Sequence, residues 1–576
     1  MAEHGITLNR IRPATVGKAL LFLALSWLLA ILGVMGSALM ANGWTDLTTG
    51  DMLVRSLVFT PVAAVALLAG DLLLGMVARR VAAAGSHAAD VSMLDRFIPR
   101  RSTKSVLLFA GILLLFWAFW IIAFYPGSMN YDTYYQITQV YPHGDPVSIG
   151  VWSVPNVPVE GAQFSDHHPL FDTLIYGAFG WVSHQLFGTW NVGVFAVAVL
   201  QSIGTAIAFS YAFAYLRSIG TPRPLCIGAY VFVCLIPIFG NYASTVLKDM
   251  LFSGIYIVWF VFIIEIVRTR GKVLGKRRFL IMSIVLGSLL ALTKKTGVYI
   301  VVGSMVLFAL IYRGSRLRCL LQAAIPGALI WVLLPAVVFP LLNVVPGGKQ
   351  EIMGTPFQMT ARYVSLHENE LSDEERQAID DVLVYDTLAD RYSPKWADPV
   401  KYAYVQDASR DAWVAYAKTW LVEGLRHPTT YLQAMIAMTT GFVAPGGTVF
   451  LEQITWDMEN GGNPLLYQPD ALAGWRDAAT NLFNAIAATP VLNIVLWGVT
   501  YCLWIPALAF WICVRHAPRW LPVFIPVLLC IASIMLSPMY DSRYATPLIY
   551  TAPLLICLAG SWLAPMKSAS HKRLPR

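Results

Sequence analysis

Residues 101–136 read "RSTKSVLLFAGILLLFWAFWIIAFYPGSMNYDTYYQ". A basic start leads into an unbroken apolar run over 105–125, close to the ~20 residues a helix needs to cross a bilayer. The run ends on a turn, and a single acid, Asp132, follows among Tyr131, Tyr134 and Tyr135. Basic residues on one side of a span and an isolated acid on the other predict a membrane helix with a defined orientation.

The pattern recurs. Further apolar runs cover 17–41, 54–78, 192–215, 225–241, 250–267, 279–293, 298–312, 319–343, 489–513, 519–537 and 544–564. With 57% hydrophobic and only 13% charged residues, the chain reads as an all-α polytopic membrane protein. The first run is too long for the apolar core of a signal peptide and is expected to stay as an anchor. Seven cysteines lie in or beside apolar runs and read as packing residues.

Charge sets the expected threading. Residues 344–485 hold 10 Lys and Arg against 19 Asp and Glu, whereas the remainder holds 31 against 14. The basic stretches 79–104, 268–278, 313–318, 515–519 and the tail "KSASHKRLPR" are expected on the cytoplasmic side, with both termini. Such a distribution speaks for a membrane surface and against nucleic acid. The 126–168 loop and the acidic 344–485 block are then outside. A thirteenth apolar stretch, 169–187, breaks this rule if it spans. It is therefore expected as an outer juxtamembrane or re-entrant helix beside twelve spans.

Four segments follow: 1–104 (two spans and a basic loop), 105–343 (seven spans), 344–485 (an acidic, largely helical exterior part) and 486–576 (three spans and a basic tail). In the exterior part, Ser372 with Glu375 predicts a capping box at the head of a helix over 371–383. A second helix over 411–428 is expected to turn Trp413, Tyr416, Trp420 and Leu421 to one side, ending at Pro428. The stretch 431–447 is expected on the bilayer surface or returning the chain to it.

The unusual charges gather at the outer ends of the spans: Asp132, Asp166, His167, His168, Lys248, Asp249, Lys294, Lys295, Asp541 and Arg543. Ionisable groups at such depth are costly and mark a functional site by default. Transfer of a sugar from a lipid phosphate uses this set. The acceptor hydroxyl needs a carboxylate base, the leaving phosphate needs Lys or Arg, and the lipid tail needs an apolar groove. Asp132 is the expected base. Asp166 is expected to orient the acceptor or to hold a divalent metal with Asp132, and no soluble cofactor is called for. Adjacent His167 and His168 are donors to sugar or phosphate and lack zinc-ligand spacing. Arg543, with its planar fork, is the expected phosphate ligand, seconded by Lys294 and Lys295, with Lys248 and Asp249 at a helix mouth. Tyr131 and Tyr135 suit sugar stacking or a membrane belt, and Gln358 and Arg362 in "PFQMTARYV" are expected over the site.

An apolar span, an acid early in the next outer loop, then "DHHPLFDTLIYG" (166–177) resembles the GT-C class of membrane glycosyltransferases, including protein O-mannosyltransferase-like and aminoarabinose-transferase-like enzymes. "HHPL" departs from the His-Pro-Pro-Leu pattern of that class, which leaves the second acid at Asp166 or missing. The resemblance implies a GT-C-like bundle over 105–343 with its catalytic loop at 126–168. It also implies a polyprenyl-phosphate sugar donor and an envelope glycan, lipid or protein acceptor outside a bacterial cytoplasmic membrane. Over nearly its whole length the chain is more similar to an uncharacterised family of bacterial multi-pass membrane proteins. "NYDTYYQ", "SDHHPLFDTL", "STVLKDMLFS", "LRHPTTYL" and "DSRYATPLIY" carry that likeness. Two other functions use many spans and a large outer loop: a flippase for a lipid-linked precursor, and an O-antigen polymerase or ligase. A flippase calls for charges through the depth of several spans and repeat symmetry, neither of which is evident. Polymerases and ligases lean on loop arginines.

Overall fold

The computed structural model describes residues 13–45, 47–84, 97–142, 144–148, 150–154, 157–454 and 465–563. Residues 85–96 of the basic loop 79–104 and the whole basic tail lie outside the described residues.

Apolar runs become helices because a bilayer core leaves backbone groups no partner but each other. Among the described residues, eight helices are long and apolar enough to cross a membrane: Thr15–Leu39, Thr49–Arg80, Thr103–Ala123, Asn191–Ser218, Lys248–Arg268, Arg313–Leu342, Pro518–Met535 and Ser542–Leu563. A ninth path is bent by 60° between Arg223–Leu235 and Pro237–Ser244. The chain is thus an all-α multi-pass membrane protein. The expected runs 279–293 and 298–312 form shorter helices, Arg277–Thr293 and Lys295–Ile311, that meet at Lys294. Residues 489–513 are broken into a 3₁₀ turn at Leu492–Leu496, a π stretch at Thr500–Trp504 and a helix at Ile505–His516.

Burial ranks the helices. Lys248–Arg268 and Ser542–Leu563 are 67% and 78% buried and form the centre, whereas Thr49–Arg80 and Arg313–Leu342 are only 17% buried and present apolar side chains outward. The N-terminal pair Pro13–Leu39 and Thr49–Ala84 packs together along its length and against the C-terminal helices. Asp71, buried inside it, pairs with Arg515. All seven cysteines are buried.

Helix Leu170–Phe187 lies along Tyr131–Thr138 and Asn191–Ser218. Gly177 and Gly180 let it approach: a Cβ there would meet Val140 at 2.2 Å and Ile137 at 2.6 Å. Its far side exposes Leu174, Trp181, Val182, Leu186 and Phe187.

Residues 354–438 build a helical cap with its own core of Phe357, Tyr363, Ile379, Val382, Leu388 and Tyr416. Helix Asp373–Asp380 opens on the predicted capping box of Ser372 and Glu375. Helix Arg410–Arg426 turns Trp413, Tyr416 and Trp420 inward, but Leu421 is 58% exposed, which corrects its expected place. At 3.6 residues per turn, Leu421 lies about 100° past Trp420. The inward row continues instead through Glu423, which is fully buried. Helix Pro428–Met438 packs on Gly354–His367 and Pro13–Leu39. Helix Ala473–Ala488, inside the acidic block by sequence, leaves the cap and packs on Thr103–Ala123.

Two ties seat the cap. Phe164–Ser165 pairs in parallel with Val344–Val345, and Ala397 N–H donates to the Pro538 carbonyl at 2.8 Å. Both bring the cap over the 126–168 loop and the turn before the last helix.

Candidate functional site

Local rules place each charge at an element end. Asn130 caps the short helix Tyr131–Thr138 by accepting from Asp132 N–H at 3.0 Å, so Asp132 sits in the first turn, where the helix dipole favours a carboxylate. Thr133 fixes that helix by donating its hydroxyl to the Val246 carbonyl at 2.6 Å. Val246 precedes the start of Lys248–Arg268, so Lys248 and Asp249 occupy that helix's first turn. Lys294 and Lys295 stand at the break between two helices. Asp541 caps the turn Ser542–Ala545 by accepting from Arg543 N–H at 3.1 Å.

These ends converge on a cavity of about 660 Å³. Asp132 Oδ2 takes Lys248 Nζ at 2.6 Å and Arg543 Nη1 at 2.8 Å. His168 Nδ1 lies 3.0 Å from Lys248 Nζ, and its Nε2 lies 3.8 Å from Asp132 Oδ1. Arg543 Nε also pairs with Asp541 at 2.7 Å, Lys294 with Asp249 at 2.6 Å, and Lys295 with Asp166 at 3.2 Å. Arg543 and Lys294 both lie over the Tyr544 ring, at 5.1 and 5.4 Å.

Burial works to raise the Asp132 carboxyl, but Arg543 and Lys248 overcome it and hold the group well below the usual carboxylate range. It is a carboxylate clamped by two cations. Burial, seconded by Lys248, pushes the His168 imidazolium far down, so the ring is neutral. Lys248 has only protons to offer, so Nδ1 accepts and Nε2 carries the hydrogen on the Asp132 side. Burial lowers His167 as well. Asp166 is raised by burial, with Lys295 opposing.

Of the residues predicted from sequence, Asp132, His167, His168, Lys248, Asp249, Lys294, Lys295, Arg543, Tyr131 and Tyr135 line this cavity. Asp166 joins them through Lys295. Tyr131 stacks on Tyr135 with centroids 6.4 Å apart at the rim. Gln358 and Arg362 are not among the lining residues. Gln358 donates to the Ser393 and Trp396 carbonyls. Arg362 is buried between the Gly43 carbonyl, Tyr392 and Gln433 and lies 4.4 Å over Trp44. Gln358 holds the cap together, and Arg362 also holds it onto the first helix pair. Asp132 and Asp166 each already hold a cationic side chain, so a metal between them would have to displace it.

The cavity also takes Glu351 from the turn before the cap, Asp398, Lys401 and Tyr402 from the cap, and Ile534, Leu536 and Met539 from the segment before the last helix. Sequence reading missed all of these. Lys401 is 5% exposed and pairs with Glu351 at 2.8 Å and Asp398 at 2.7 Å. In sequence, Asp398 and Lys401 look like an ordinary surface pair three residues apart. Glu452 was missed too, although an acid in the apolar stretch 441–455 is the signal that singled out Asp132. Burial raises its carboxyl, with Asp541 adding to the effect.

The molecule is a multi-pass membrane protein with a buried, charge-balanced polar cluster at the ends of its central helices, beneath a helical cap. The pattern of a family of unknown function (DUF6020) matches residues 12–573, and the chain belongs to that family. No curated protein and no solved structure matches the chain.

Proposed function

We propose that this chain is a GT-C-like membrane glycosyltransferase. It moves a sugar from a polyprenyl-phosphate donor to an envelope glycan, lipid or protein on the outer face of a bacterial cytoplasmic membrane. In this reading twelve spans thread the bilayer, both termini are cytoplasmic, and helix Leu170–Phe187 lies at the outer surface.

The observation that carries the proposal is Asp132 held by Lys248 and Arg543 at the head of a cavity that apolar Ile534 and Leu536 also line. A base stands next to phosphate ligands, with an apolar wall for the tail. The cations are not idle in the ground state, because Asp132 occupies the seat a phosphate would take. Donor binding draws Arg543 and Lys248 onto phosphate oxygens and releases the carboxylate. Its pKa then rises toward the range a base needs. Asp132 accepts the proton of the acceptor hydroxyl, and that oxygen attacks the anomeric carbon. The bond from that carbon to the phosphate oxygen breaks, and its electron pair leaves on the phosphate, held by Arg543 and Lys248. The neutral His168 offers Nε2–H to the reacting oxygens. The base is thus assembled only when donor is present, which limits loss of the sugar to water.

The test compares envelope glycans of a deletion strain complemented with wild type or with Asp132→Asn. The wild type restores a glycan that the variant does not. An unchanged glycan profile with an altered export phenotype would point to a lipid-linked precursor flippase.

A further inference from the structure

His367, Glu370 and His427, none of which lines the cavity, bring three ligand atoms within 4.8 Å of one another. We propose that these residues bind a zinc-class divalent ion that ties together the ends of the cap helices, a site independent of the sugar-transfer reading.

His367 ends helix Gly354–His367, Glu370 lies in the 3₁₀ turn after it, and His427 joins helices Arg410–Arg426 and Pro428–Met438. Glu370 meets both rings: Oε1 is 3.0 Å from His367 Nδ1, and Oε2 is 2.7 Å from His427 Nε2. The two rings stack at 3.7 Å, nearly parallel. His367 faces Glu370 with Nδ1 and the Thr430 hydroxyl with Nε2, at 3.1 Å, and that hydroxyl can either donate or accept. With Nε2–H donated to Thr430, the Nδ1 lone pair points at a carboxylate. In that arrangement an ion binds Nδ1, the Glu370 carboxylate and His427 Nε2 once the stacked rings turn so that both lone pairs meet on it.

Two imidazoles and one carboxylate are a zinc donor set, with a fourth position for water. Thr430 takes the outer-shell part, fixing the tautomer and orientation of His367. Tyr363 buttresses both rings, at 5.0 and 5.6 Å. Arg426, beside His427 in sequence, pairs with Glu375 at 3.0 Å and donates to the Glu370 backbone carbonyl at 3.4 Å, leaving the Glu370 carboxylate to the histidines. Glu370 is exposed and the histidines half-buried, so an ion reaches them from solution.

The full chain is purified in detergent without a polyhistidine tag, stripped with chelator and titrated with Zn2+ by calorimetry. We expect one saturable Zn2+ per chain, not displaced by excess Mg2+, with a rise in Tm. Cobalt in its place should show visible absorption of a low-coordinate site. The near-isosteric Glu370→Gln should bind Zn2+ at least about tenfold more weakly and lose the Tm rise, and Thr430→Val should weaken binding by about tenfold. Two results would overturn the site: no saturable Zn2+ uptake by the wild type, or equal uptake by the His367→Ala/His427→Ala chain.

Discussion

Replacing Asp132 with Asn should make the protein bind a lipid phosphate more tightly. The carboxylate sits 2.6 Å from Lys248 and 2.8 Å from Arg543, on the donors a phosphate would use. A phosphate oxygen taking the same donors would stand about 4–5 Å from the carboxylate. At an effective dielectric near 20 their repulsion is about 3–4 kcal/mol. Rearrangement and water reduce this, so the gain should be at least about tenfold. The same change removes the carboxylate that Lys248 and Arg543 share when no ligand is bound, leaving Arg543 only Asp541, and breaking a buried pair costs about 3–5 kcal/mol. Tm of the ligand-free variant should therefore fall, and a short-chain polyprenyl phosphate should restore more of it than in the wild type. Calorimetry and thermal shift in detergent read both quantities. Unchanged or weaker binding by a folded Asp132→Asn chain would refute the idea that the acid occupies the phosphate seat.

Other outcomes follow from the same geometry. Glu423 is fully buried, and burial pushes its carboxyl up to about 7, with the Tyr431 hydroxyl opposing. A raised folded-state value means stability present at low pH and lost as pH rises through 7. Cap stability should fall by up to roughly 3 kcal/mol between about pH 4.5 and pH 8, and Glu423→Gln should flatten the profile. Arg362→Lys cannot reproduce the fork that spans Gly43, Tyr392 and Gln433. It should lower Tm and speed proteolysis of the cap while leaving lipid-phosphate affinity within twofold, a ceiling set because Arg362 is not among the cavity-lining residues. Leu186→Cys lies on the exposed side of helix Leu170–Phe187, and the native cysteines are buried. A membrane-impermeant thiol reagent should label it from outside intact cells, and labelling only from the cytoplasm would show that this helix spans.

Much of the site is legible in sequence because membranes make charge expensive. An acid after an apolar run, two lysines breaking a helix pair and an arginine opening the last span each stand out locally. What is not legible is who partners whom. Arg543 reaches Asp132 across 411 positions and Lys248 reaches it across 116, distances no periodicity records. Gln358 and Arg362 show why a polar residue near a site by sequence order need not face it: Arg362 is claimed by a carbonyl 319 positions away. His367 and His427 fail the spacing rules for metal ligands because a cap fold, not a local turn, brings them together. The long apolar helices read more easily than the interrupted stretch 489–513, where no single turn residue marks the π segment.

The rate of sugar transfer from a polyprenyl-phosphate donor by reconstituted wild type and Asp132→Asn, at equal amounts of folded protein, tests the central claim most directly. The account predicts a loss of about 10²–10⁴-fold in transfer by the variant, the scale of a missing general base, although it binds the lipid phosphate at least as well. Full transfer by a folded Asp132→Asn chain would contradict it.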